Sequence, residues 1–215
     1  MEAGRRPMNA PGSHIVVAEG KAEIEIRRSR FVALVRPCAS PAEAQTQLGD
    51  MRILHPKATH HVWAWRLLDP SGRAVLERSD DDGEPGGTAG RPTLQALQVH
   101  GIVRGVAVTA RYFGGIKLGA GGLVRAYAAA AHAAVAAAVL RPHVPIVRLR
   151  IDAPFALLGA LEALLERSGS RVLERRFDPD PVLIVEIPAE RAAGFEAALR
   201  ETSGGRATLR LEDGS

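Results

Sequence analysis

One stretch constrains this chain more than any other: RYFGGIKLGAGGLVRAYAAAAHAAV, Arg111 to Val135. The run VRGVAVTARYF leads into it, five glycines fall within the nine residues Gly114 to Gly122, and an alanine-rich run follows at once. Alanine is the strongest helix former, and glycine admits positive φ and close backbone approach. The order predicts a strand, a tight turn and a helix opening near Gly121–Gly122. The first N–H groups of a helix lack internal partners and carry partial positive charge, and glycines give an anion access to them. Arg111, Lys117 and Arg125 add charge around that point. With Gly114, Gly115, Gly119, Gly121 and Gly122 they form a candidate anion- or nucleic-acid-binding set. A Walker A loop is excluded, because GIKLGAGG lacks Gly-Lys-Ser/Thr, and the stretch is not the GxGxxG of a dinucleotide-binding βαβ unit. Tight strand–helix packing is the competing explanation for the glycines.

A second candidate is the thirteen-residue loop DDDGEPGGTAGRP, Asp80 to Pro92, preceded by Ser79. Asp80, Asp82 and Glu84 alternate as oxygen ligands of a hard cation do, but the EF-hand spacing fails. No metal site is expected. The acids instead suit capping of loop or helix N–H groups, with Thr88 to Arg91 starting the helix TLQALQVHG and Arg91 facing outward. Ser79, Asp80, Asp82, Glu84, Thr88 and Arg91 are its candidate residues. Gly101 is the expected stop.

The remaining chemistry-bearing residues point to packing. Alternation in THHVWAWRLL sets His61, Trp63, Trp65 and Leu67 on one strand face and His60, Val62, Ala64 and Arg66 on the other. His60 and His61 thus cannot chelate one metal together without distortion; His55 with one of them could, but packing is the expected role. Trp63 and Trp65 read as core. Tyr112 and Phe113 stand beside arginines as base-stacking aromatics would, although 4% aromatic content argues against a large platform. Cys38 is the only cysteine, so no intramolecular disulfide forms. It reads as inert packing. There is no G-x-S-x-G nucleophile elbow, and no catalytic residue is expected.

The 215 residues suffice for one large domain or two small ones. No run approaches a membrane span of about 18 apolar residues. The start MEAGRRPMNAPGSHI lacks a signal-peptide apolar core, so a reducing cytoplasm is the expected location, with a tail over residues 1–13. Charge is uneven: residues 1–140 hold 17 Lys/Arg against 12 Asp/Glu, and residues 141–215 hold 11 against 12. The basic N-terminal part suits an anionic partner.

Along the chain, HIVVAEGKAEIEIRRSRFVALVRPCAS predicts two strands with a polar join. SPAEAQTQLGDMRILHP predicts a helix capped by Ser40, with Pro41 in its first turn and Glu43 three residues past the cap. Two more strands flank the turn DPSG. The alanine helix is expected to run until just before Pro142, and RPHVP marks a domain boundary. Beyond it, strand, helix, two strands around DPDP, helix and strand fill about 70 residues. That is the order of the split β-α-β motif.

SRF, HPKATHHVWAW, SDDDGEPGGTAGRP and RYFGGIKLGAGGLVRAY occur in this order. Together they resemble the YigZ/IMPACT family in its bacterial two-domain YigZ form, over about residues 14–215. The matching positions are Ser79, Asp80, Asp82, Gly83, Glu84, Pro85, Gly87, Thr88, Gly90 and Pro92, then Arg111, Gly114, Gly115, Leu118, Gly119, Gly121, Gly122, Leu123, Arg125 and Tyr127. The resemblance implies an α+β fold class. Residues 14–141 would form a ribosomal-protein-S5-domain-2-like α/β domain, and residues 146–215 a ferredoxin-like βαββαβ domain similar to those of elongation factor G. It assigns no catalytic role, and its eukaryotic members regulate translation.

The expected function is a non-enzymatic nucleic-acid- or ribosome-associated protein of translation regulation. RNA or the ribosome is the expected partner, with no membrane partner and no cofactor. The rival is an enzyme acting on a small phosphorylated or peptide substrate between the acidic and glycine-rich loops. In a third reading the loops bind each other, with Asp82 or Glu84 pairing with Arg111 or Arg125. Whether the protein is a monomer or a weak dimer is not readable from these residues.

Overall fold

The computed structural model describes residues 12–69, 72, 74–177 and 179–212, and the backbone of Gly4–Pro7. The chain forms two compact units, residues 1–143 and 144–215. The division falls within RPHVP.

The first unit is built on one sheet of β1 (Gly4–Pro7), β2 (His14–Ala18), β3 (Gly20–Ile26), β4 (Ser29–Arg36), β5 (His60–Leu68), β6 (Ala74–Asp80), β7 (Ile102–Tyr112) and β8 (Val139–Pro142). Helices α1 (Pro41–Leu54), α2 (Gly90–Val99) and α3 (Ala120–Ala137) cover it. The order is β1-β6-β5-β7-β2-β8, while β4 pairs with β7 and carries β3 on its far side. Among the described residues only β2 and β7 run parallel; β7 is antiparallel to both β4 and β5.

Strand alternation divides the core into two layers, because successive side chains point to opposite faces. Phe31, Ala33, Val35, Val62 and Ala64 join Leu97 of α2 and Leu123, Ala126, Tyr127, Ala130 and Ala134 of α3 on one face. Val32, Leu34, Trp63, Trp65 and Leu67 meet Ala44, Leu48 and Met51 of α1 on the other. The tryptophans are core, and His60 and His61 diverge, as the alternation predicts. Cys38 is buried in the α1 layer, and burial pushes its thiol pKa up to about 11.

Helix α1 starts where its capping residues stand. Ser40 Oγ accepts from Glu43 N at 3.2 Å, and Glu43 Oε2 accepts from Ala39 N at 2.8 Å. Three boundaries differ from the pattern reading. The N-terminal segment forms three strands, because Arg27 and Arg28 take positive φ and close a two-residue hairpin between Ile26 and Ser29. Helix α3 stops at Ala137 and Val139–Pro142 become β8, whose backbone pairs with β2. Within the expected tail, Gly4–Pro7 pair antiparallel with β6, while residues 1–3 and 8–11 lie outside the described residues.

The second unit holds β9 (Ile146–Asp152), α4 (Leu158–Arg167), β10 (Arg171–Phe177), β11 (Pro181–Pro188), α5 (Ala192–Ser203) and β12 (Thr208–Leu211). Its sheet runs β10-β11-β9-β12, antiparallel throughout. Leu149, Ile151, Leu183, Val185 and Ile187 face Leu161, Leu164, Leu165, Phe195 and Leu199 of the helices. No helix of the described residues is long and apolar enough to cross a membrane.

Candidate functional site

The acidic loop runs from the end of β6 into α2, and its carboxylates bond to the protein's own groups. Asp81 Oδ1 accepts from Ala89 N at 2.9 Å and Gly90 N at 2.8 Å, while Oδ2 accepts from Gly87 N at 2.7 Å. Ala89, at the N-cap position of α2, has no side chain for this task, so an aspartate eight residues upstream does the capping. Burial alone would raise the Asp81 pKa, but the three backbone donors outweigh it and hold the carboxyl below the usual range. The sequence reading passed over Asp81 in favour of its neighbours. The run of three aspartates was the signal, but only the fold shows which one reaches the helix.

Asp80 Oδ1 accepts from Asp82 N at 2.8 Å. Asp82 takes Arg52 Nη2 at 3.0 Å and His61 N at 2.6 Å on its two oxygens. Thr88 Oγ1 donates to Pro85 O at 2.6 Å. Ser79 sits in β6 opposite Ala64, and Arg91 is exposed on the first turn of α2.

Glu84 joins the acidic loop to both ends of the glycine segment. Its Oε1 accepts from Arg111 Nη1 at 2.6 Å and from Tyr127 Oη at 2.7 Å. Arg111 ends β7 and Tyr127 lies on α3, so one carboxylate ties together strand, loop and helix. Tyr127 is fully buried and packs edge-on against Phe31, with centroids 5.2 Å apart. Burial first, and then the Glu84 carboxylate that accepts its hydrogen bond, raise the Tyr127 pKa far above its ordinary value. Arg111 is therefore an internal residue. Its charge is engaged by Glu84 rather than turned outward with Lys117 and Arg125, as the candidate set had it. A buried guanidinium needs a carboxylate partner, and Glu84 supplies it.

The glycine segment rests on the β3–β4 turn. Gly114 N donates to Ser29 Oγ at 3.2 Å, and a Cβ on Gly114 would lie 2.1 Å from the Arg28 carbonyl carbon. Gly119 precedes α3 with no side-chain cap on the helix. Gly115, Gly119 and Gly121 are exposed, as are Lys117 and Arg125. A Cβ on Gly121 would lie 3.6 Å from Arg125 Nη1, so the guanidinium reaches back over the first turn of α3. Arg27 and Arg28 are exposed in the abutting turn. Among the described residues, Arg27, Arg28, Lys117 and Arg125 form no ion pair. The sequence reading missed Arg27 and Arg28, since nothing local places a turn 85 residues away against Gly114.

The histidines bond to protein. His55 Nδ1 meets Tyr112 Oη at 2.9 Å, His60 Nδ1 meets Asp82 O at 2.8 Å, and His61 Nε2 meets His55 O at 3.1 Å. Among the described residues no three His, Cys, Asp or Glu side chains gather as a metal-holding group.

The Impact N-terminal domain model matches residues 27–135, and a second model, Domain of unknown function (DUF1949), matches residues 151–206. The Escherichia coli (strain K12) protein IMPACT family member YigZ is 33% identical over 199 residues, 93% of this chain and 95% of its own. An IMPACT family member of Thermus thermophilus is 43% identical over 157 residues, covering 73% of this chain and 82% of its own. A crystal structure described as that of a hypothetical protein superposes over the full length of both chains with TM-score 0.64 and 30% identity. With the acidic and glycine loops both inside the first matched domain and a relative aligned along nearly the whole chain, the protein belongs to the YigZ/IMPACT family.

Proposed function

We propose that the protein is a nucleic-acid- or ribosome-associated factor of translation, acting in the cytoplasm without catalysis. One observation carries the reading: Asp80, Asp81, Asp82 and Glu84 are each hydrogen-bonded to the protein's own groups, while Arg27, Arg28, Lys117 and Arg125 are exposed and unpaired in the glycine segment, the turn abutting it and the first turns of α3. The arginine turn supports it. A hairpin of two positive-φ residues favours Asn-Gly, and two arginines at φ 46° and 65° are a strained choice. Strain of this kind collects at functional positions. A rim of cations beside exposed helix N–H groups suits phosphate.

The fold supports the same reading. The strand order β10-β11-β9-β12 with two helices on one face fits a ferredoxin-like domain, and we assign the first unit to the ribosomal-protein-S5-domain-2-like class. The enzymatic alternative needs Asp80 or Glu84 accessible at the glycine segment; Glu84, which reaches it, is buried under two donors, and the exposed Asp80 accepts from Asp82 N within its own loop. RNA and ribosome binding across a salt series tests the proposal. Affinity that falls steeply with salt, and further in Lys117→Glu/Arg125→Glu, supports it; indifference to both refutes it.

A further inference from the structure

Phe113 stands at the junction of β7 and the glycine segment, and it is 48% exposed. Large aromatic rings are normally withdrawn from water, and this one has a neighbour that backs it without covering it. Arg111 backs the ring, its Cζ 5.6 Å from the ring centroid. Arg111 is itself pinned by Glu84 and lies against Phe31. The Phe113 backbone N–H donates to Thr59 Oγ1 at 3.4 Å, and the next residue, Gly114, is held against Arg28 and Ser29. The ring thus has the arginine of a buried ion pair against it, and the backbone that carries it is held at Thr59 and, through Gly114, at the arginine turn. Ile116, 40% exposed, follows in the same segment.

The unpaired, exposed cations Arg27 and Arg28 stand in the turn whose backbone abuts the next residue, Gly114, and exposed Lys117 follows four residues after Phe113. A solvent-exposed aromatic on an anchored backbone, with positive charge nearby, is the arrangement on which an unpaired base stacks while its phosphates meet the cations. A duplex hides its base faces and offers such a ring nothing. We propose that Phe113 is a base-stacking platform and that the partner of the glycine-segment rim is single-stranded nucleic acid. This rests on the nucleic-acid reading above and narrows it to strands with at least one unstacked base.

The test uses the full chain and fluorescence anisotropy with a 12-nucleotide RNA, the DNA of the same sequence and the RNA duplex. The expected result is tighter binding of single strands than of duplex. Phe113→Ala should weaken single-strand binding about 5- to 150-fold, the range of one base–aromatic stack, with the salt slope unchanged. Phe113→Trp should keep affinity, and bound strand should quench its fluorescence. Single-stranded RNA, DNA or both count in favour. Should Phe113→Ala perturb folding, Phe113→Leu, which keeps bulk but not the ring, carries the same expectation. Salt-dependent binding that Phe113→Ala and Phe113→Leu leave intact, or that favours duplex, overturns the stacking platform and leaves the nucleic-acid reading standing. Wild-type protein that binds no nucleic acid at any salt, or only RNA-free ribosomal protein, removes both.

Discussion

Arg111 Nη1 donates to Glu84 Oε1 at 2.6 Å, and the two side chains are only 7% and 3% exposed. Removing one member of a buried pair leaves the other charge uncompensated, at a cost of about 3–5 kcal/mol. Glu84→Ala should lower unfolding stability by that amount in urea titrations. Glu84→Gln, which keeps an acceptor for Tyr127, should lose less. If Glu84→Ala unfolds at the wild-type midpoint, the pair does not hold the loops together.

Asp81 serves three backbone donors at the start of α2. Asp81→Ala should cost roughly 1–2 kcal/mol, the upper range for loss of a helix cap, and speed amide exchange at Ala89 and Gly90. Its folded pKa is depressed, so its contribution is complete above the unfolded value near about 3.9 and is lost as pH falls through the folded value. The Asp81→Ala protein should accordingly show a smaller loss of stability below pH 4 than the wild type.

Two adjacent glycines should respond differently to alanine. A Cβ at Gly114 would meet Arg28 backbone at 2.1 Å, whereas at Gly115, with φ +87°, there is open space and only the backbone conformation is strained. Gly115→Ala should cost about 1–2 kcal/mol. Gly114→Ala should reach or pass the upper end of the roughly 1–3 kcal/mol typical of overpacking, and it should weaken RNA binding by displacing the arginine turn. Equal melting temperatures for the two variants would contradict this geometry.

Three histidines of the first unit share a depressed pKa. Burial is the main cause for His55, His100 and His143, reinforced by Lys21 and Arg30 at His55, by His132 and His14 at His100, and by Arg104 at His143. The unfolded chain then takes up protons near about pH 6.5, before the folded chain does. Stability is complete above that pH and falls as the pH drops through the folded values. Urea midpoints should decline between pH 7 and pH 5. Replacing His100, whose Nε2 meets His132 Nδ1 at 3.0 Å, with asparagine should flatten that slope. A midpoint constant from pH 7 to 5 would count against these assignments.

Four rim cations set an upper limit on the salt response. A single strand releases counterions at a log–log slope of about −0.7 per phosphate neutralised, so Arg27, Arg28, Lys117 and Arg125 together predict a slope near about −3. Lys117→Glu/Arg125→Glu should reduce its magnitude by about 1.4 or more. Both residues are exposed and unpaired, so melting temperature should stay unchanged.

Much of the architecture follows from local pattern. Alternation in HHVWAWRLL separates Val62 and Ala64 from Trp63, Trp65 and Leu67, and the two core layers obey it. Ser40, Pro41 and Glu43 mark the start of α1. These signals are legible because backbone periodicity and capping act within a few residues. Where local signals compete, the pattern misleads: alanine propensity carries the expected helix past Ala137, yet Val139–Pro142 pair with β2, because a strand edge elsewhere in the chain offers hydrogen bonds.

The sequence by itself determined the two-unit layout, the strand–glycine–helix order at Arg111–Val135 and the presence of an acidic loop and a basic excess. Only the tertiary structure decided which charges meet. Asp81 caps α2, Glu84 takes Arg111 and Tyr127 from 27 and 43 residues away, and Arg28 comes to lie under Gly114. The reason is physical: periodicity and propensity belong to short segments, whereas the pairing of a buried charge depends on which groups lose water together when distant segments pack.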